Sequence, residues 1–173
     1  MKELLEIIKI TLPSLIVFGV VYYLLNQFLK KEKQIRDQEL KLIAKKDYFP
    51  VQMQAYERAI LYLERIDPNN LIFRIHKSGM SGKLLHAELL RVIREEYAHN
   101  MSQQVYIHPK SWKTVLNAKD ETIQILNVAI NNLSADSSGL DLSAKIFESI
   151  ASKKISPTEN ARNLIVKEFQ TTI

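Results

Sequence analysis

Ile10 to Leu29 reads ITLPSLIVFGVVYYLLNQFL, twenty residues without a single charge. At 1.5 Å rise per residue such a run spans about 30 Å, the depth of a bilayer's hydrocarbon core. A buried core helix and a cleaved signal peptide are the competing readings. The core helix of a small soluble domain is rarely apolar on every face for so long. A signal peptide has a shorter apolar region, a more cationic start and small residues at a cleavage site. Here the run ends in Asn26-Gln27-Phe28-Leu29-Lys30-Lys31, which is no such site. The stretch therefore predicts an uncleaved transmembrane helix.

The charges on either side of the run set its direction. Lys30, Lys31, Lys33, Arg36, Lys41, Lys45 and Lys46 stand against Glu32, Asp37 and Glu39, a net charge of +4 out of +5 for the whole chain. The only cations in the flank before the run are Lys2, Lys9 and the amino terminus. Lysine and arginine near membrane ends stay on the cytoplasmic side, so the N-terminus is expected outside and the rest of the chain in the cytoplasm. The seven cations form a collar suited to anionic lipid headgroups, each contributing roughly 1 kcal/mol near the surface. Because this collar holds nearly all the excess charge, the remaining chain is close to neutral and no nucleic-acid partner is expected. The reading divides the chain into an anchor (1–29), a basic juxtamembrane helix or linker (30–48) and a cytoplasmic helical domain (49–173).

That last segment is predicted to be all-α, a small bundle of five or six helices. Few prolines and glycines among abundant Leu, Ile, Lys, Glu, Gln and Ala disfavour a turn-rich β architecture. Phe49-Pro50 predicts a break, with a new amphipathic helix carrying Phe49, Met53, Tyr56, Ala59, Ile60 and Leu63 on one face. Asp67-Pro68 predicts a cap and first turn. Leu71 to Ile75 reads as a short helix in preference to an isolated strand. Ser81 is expected to cap a long helix from Gly82 to Gln104, and His108-Pro109 to open another. The loop from Asn131 to Gly139 precedes a helix over 140–152, and Ser156-Pro157-Thr158-Glu159 announces the last one.

Chemistry is sparse. Cysteine is absent, which excludes disulfides, thiolate catalysis and thiolate metal sites. Gly79-Met80-Ser81-Gly82-Lys83 imitates a phosphate-binding loop, but Lys77 stands where the first glycine belongs and Leu84 where a magnesium-binding hydroxyl belongs. It reads as a helix-opening loop. Glu96 and His99 form one Glu-x-x-His pair, and a di-metal bundle needs a second. His76, His86 and His108 follow Phe73, Lys83 and Val105 by three residues, so none supplies it. No metal, cofactor or catalytic residue is assigned. Projected at 100° per residue, the long helix aligns Leu85, Leu89, Val92 and Ile93 with Glu96, Asn100 and Gln103, His99 at the edge. A polar end to an inward stripe predicts either a buried network fixing helix register or a wet groove for a ligand or partner.

Gln54-Ala55-Tyr56-Glu57-Arg58, Leu63-Glu64-Arg65-Ile66, the run Arg94 to Tyr106 and the Trp112 segment resemble an uncharacterised bacterial family of membrane-anchored helical proteins, a domain of unknown function. The likeness covers about residues 10 to 130 and leaves the C-terminal tail outside. It implies a bacterial inner membrane and a helical domain, and brings no activity or site residues. The leading expectation is a membrane-held interaction or scaffold module with a protein partner or self-association. A metal- or small-molecule-binding protein using Glu96, His99, Asn100 and Gln103 is the alternative. A stalk-like subunit of a membrane complex is weaker, because Pro50, Pro68 and Pro109 argue against one long rod.

Overall fold

A computed structural model describes the backbone of residues 2–172 and the side chains of residues 10, 12–43 and 46–171. Among the described residues all regular structure is helical: α1 (Lys2–Ile66), α2 (Pro68–Ile75), α3 (Gly82–Asn100), α4 (Pro109–Asn131), α5 (Gly139–Ala151) and α6 (Pro157–Thr172). A short 3₁₀ turn over Met101–Val105 ends α3, four residues before the expected Gln104. The chain divides into two compact units, Met1–Phe49 and Pro50–Ile173.

In the first unit every described side chain from Leu12 to Tyr48 is exposed, the apolar ones included. One helix among the described residues is long and apolar enough to cross a membrane, and none of its most apolar window is buried. Of the cationic collar, Lys30, Lys31, Lys33, Arg36, Lys41 and Lys46 are exposed, while the Lys45 side chain lies outside the described residues, as do those of Lys2 and Lys9. Arg36 donates to Glu32 one turn before it, at 3.0 Å.

The break expected at Phe49-Pro50 does not occur: helical backbone continues through Pro50 to Ile66. The other helix-opening prolines explain why. Asp67 accepts from the Asn69 amide at 3.0 Å, His108 Nδ1 from the Lys110 amide at 3.3 Å, and Ser156 Oγ from the Glu159 amide at 3.1 Å. Each proline at a true start thus follows a side chain that replaces the lost backbone partner. A phenylalanine side chain has no oxygen or nitrogen with which to do so. At an exposed position like Pro50, water can satisfy the carbonyl that loses its donor. Pro50 therefore begins no new helix, whereas Pro68 and Pro109 do.

In the second unit, Ala55, Tyr56, Ala59, Tyr62, Leu63 and Ile66 recur at three- and four-residue steps and are buried. They share a core with Leu71, Leu85, Leu89, Ile93, Val115, Leu126, Leu142, Ile146 and Ile165. Each such aliphatic side chain contributes roughly 1.5–3 kcal/mol of burial, which makes this stripe, and not helix propensity, the main support of the short helices. The starts of α3 and α5 are joined: Gly82 N donates to Ser137 O at 2.8 Å and Gly139 N to Met80 O at 2.7 Å. Between them Ser81 and Ser138 form an isolated antiparallel bridge. Asp67 has two roles. One carboxylate oxygen caps α2 and the other accepts from the Ser156 and Thr158 hydroxyls at the start of α6. Arg162 of α6 pairs with Glu64 of α1 beside this point.

Candidate functional site

The polar end of the α3 stripe meets α1 in an open groove of about 390 Å³. Its α1 wall is Gln54, Arg58, Leu61, Tyr62 and Arg65, at steps that return to one helix face every turn. Glu96, His99 and Asn100 form the α3 wall by the same rule, and Glu57, three residues after Gln54 and four before Leu61, also lines the α1 side.

Glu96 is the fixed point. Its side chain is only 13% exposed, and Arg65 Nη1 donates to both carboxylate oxygens at 3.2 Å. Arg74, from α2, brings Nη2 to 3.8 Å from the same carboxylate and donates to the Arg65 carbonyl at 3.2 Å. A largely buried carboxylate needs such partners. Both arginines remain largely in solvent, so each pairing contributes about 1 kcal/mol or less. Two guanidiniums on one carboxylate leave this cluster with a net positive charge.

The other stripe residues take separate paths. Asn100 Nδ2 donates within α3 to the Glu96 carbonyl at 2.8 Å. Gln103 reaches only its neighbour Ser102, at 3.5 Å, from the 3₁₀ turn. His99 is exposed on the groove wall. The expected set is therefore brought together only in part: Glu96, His99 and Asn100 share the groove, and the ties that cross between helices run from Glu96 to Arg65 and Arg74. Among the described residues no group of three or more His, Asp or Glu side chains lies together as a metal site requires.

Tyr62 also lines the groove. Its ring lies 6.4 Å from that of Tyr97, which stacks in turn on Trp112 and carries the Lys119 ammonium 4.6 Å from its centroid. The Tyr62 hydroxyl is buried with no hydrogen-bond partner among the described residues. Burial first, and then the nearby Tyr97, Asp120 and Glu96, push its pKa well above the ordinary value of 10. It stays a neutral donor.

Sequence reasoning missed Arg58, Tyr62, Arg65 and Arg74 as groove residues. A signal existed: Arg58 and Arg65 stand seven apart at the edge of the buried α1 stripe, the spacing at which a long cation flanks a helix interface. Nothing in the sequence placed Arg74 beside Glu96.

A match to a family model covers residues 2–172, nearly the whole chain. The chain belongs to this family, DUF7935, a family of unknown function. The match extends to both ends, correcting the expectation that the C-terminal tail stands outside it. No curated protein and no solved structure matches the chain.

Proposed function

We propose that this chain is a single-pass membrane protein whose second unit, residues 50–173, is an interaction module at the cytoplasmic face of a bacterial inner membrane. The observation that carries the reading is the uncharged run Ile10 to Leu29, whose most apolar window has no buried residue at all. Twenty uncharged and mostly apolar residues left in water would cost far more than a small domain's net stability, so a hydrocarbon phase is the environment that suits them. The collar after the run supports a cytoplasmic orientation. The second unit exposes Phe73 at 81%, Val105 at 72% and Leu140 at 68%, apolar anchors of the kind protein interfaces cover.

Two experiments test this. A C-terminal alkaline phosphatase fusion is expected to be inactive, and an active one reverses the orientation. Crosslinking in native membranes, then purification in detergent, is expected to recover a stoichiometric partner or a second copy. Recovery of the uncrosslinked monomer alone removes the module reading. The groove favours a second reading, small-molecule binding.

A further inference from the structure

In two other clefts the polar lining groups already bond within the protein. In the one of about 470 Å³, Asp67 accepts from Ser156 and Thr158, and Glu64 pairs with Arg162. In the one of about 550 Å³, the carbonyls of Met80 and Ser137 are taken by Gly139 and Gly82. The groove between α1 and α3 differs. Arg65 is held by Glu96, but Arg58, Gln54 and His99 make no hydrogen bond or ion pair among the described residues.

We propose that this groove is a binding site for a small oxyanion, a carboxylate or phosphate group, held between the Arg58 guanidinium of α1 and the His99 and Asn100 side chains of α3. The proposal deepens the small-molecule reading of the groove and does not depend on the anchor. The charge arrangement carries it. Glu96 is already neutralised by Arg65 and approached by Arg74, so it does not compete for Arg58. Of the lining carboxylates, only Glu57 opposes an anion, and with Arg74 beside Glu96 the three arginines at the groove outnumber its two carboxylates. A planar guanidinium with free N–H groups binds carboxylate and phosphate oxygens in pairs, more strongly than neutral donors do. Arg65 is paired with Glu96 two turns along the same helix face, so Arg58 is the arginine of this wall left to meet an anion. The volume of about 390 Å³ suits a metabolite-sized molecule, not a bare ion alone.

Isothermal titration of the full-length chain in neutral detergent with inorganic phosphate and with acetate, at constant ionic strength set by chloride, tests the site. Saturable binding of at least one oxyanion is expected, with the His99 ring resonances moving along the same curve. Arg58→Gln should weaken it about tenfold, the loss of roughly one charge-assisted hydrogen bond. Arg94→Gln, on an exposed arginine outside the groove, should leave it unchanged. Repeating the phosphate titration in nanodiscs of anionic phospholipid separates sources: suppressed binding identifies a lipid headgroup as the occupant, and retained binding a soluble one. No saturable binding of either anion overturns the proposal. So does an Arg58→Gln protein, equally folded by circular dichroism, that binds as tightly as the parent.

Discussion

Gly139 donates its amide to the Met80 carbonyl across 2.7 Å, closing the start of α5 onto the loop that opens α3. The close approach depends on the missing side chain. A Cβ on Gly139 would stand 3.0 Å from that same carbonyl oxygen and 3.0 Å from His76 Cδ2. Alanine ordinarily favours a helix over glycine by about 1 kcal/mol, yet Gly139→Ala should destabilise the protein by about 1–3 kcal/mol, because backbone must move. Gly82→Ala meets the Ser137 hydroxyl at 2.8 Å, an atom that can rotate away, and backbone oxygens only at 3.2 and 3.3 Å, so it should cost less. Urea melts of both variants check the order. Two neutral or stabilising substitutions would refute it.

Tyr62→Phe removes a buried hydroxyl that has no hydrogen-bond partner among the described residues. The variant should gain about 1 kcal/mol of stability, since it loses a desolvation cost and no hydrogen bond. The sign of the pH dependence comes from the raised pKa. An unfolded tyrosine ionises near 10 and the folded one above it, so stability is fully present below about pH 10 and falls as pH rises further. Tyr62→Phe should show a shallower alkaline limb in thermal melts from neutral pH upward. Superimposable limbs would contradict the assignment.

Ser138 and Asp141 form a reciprocal cap on α5. The Ser138 hydroxyl and amide both donate to Asp141 Oδ2, at 2.7 and 2.9 Å, and Ser138 Oγ accepts from the Asp141 amide at 3.2 Å. The first two bonds, the hydroxyl's foremost, hold the Asp141 carboxyl below its ordinary value of 3.8. Its contribution is therefore present above about pH 4 and lost as pH falls through the lower folded value. Carbon-detected titration of Asp141 should show the depressed midpoint, and Ser138→Ala should move it back up. The same change should cost about 1 kcal/mol near neutral pH.

The α3 residues should separate by their partners. Glu96→Gln removes the charge that Arg65 and Arg74 face and should lower stability by about 1 kcal/mol, less at high salt. His99→Ala and Gln103→Ala, which break no tie between helices, should stay within about 0.5 kcal/mol of the parent. Equal losses at all three positions would point instead to a shared network.

The helix starts were readable because their chemistry is local. Asp67-Pro68, Ser81-Gly82, His108-Pro109 and Ser156-Pro157 each contain their own acceptor, and each begins a helix. Phe49-Pro50 differs because phenylalanine offers no such acceptor, and the helix runs through it. The groove was legible from one side only. The 100° projection placed Glu96 and Asn100 on an inward line, but which face of α1 or α2 they would meet depends on packing over 31 residues of separation for Arg65. No periodicity within α3 encodes that.

Asp67 links the beginning and the end of the folded unit with one carboxylate. Its α2 cap is a contact over two residues, whereas Ser156 and Thr158 lie 89 and 91 residues further along. Local contacts close early and distant ones late, because loop entropy must be overcome first. During synthesis, then, the Asn69 amide is within reach of the carboxylate long before α6 exists to supply its other donors. The completed unit is marked chemically at a single side chain, and the order in which its two oxygens find partners is an order of assembly.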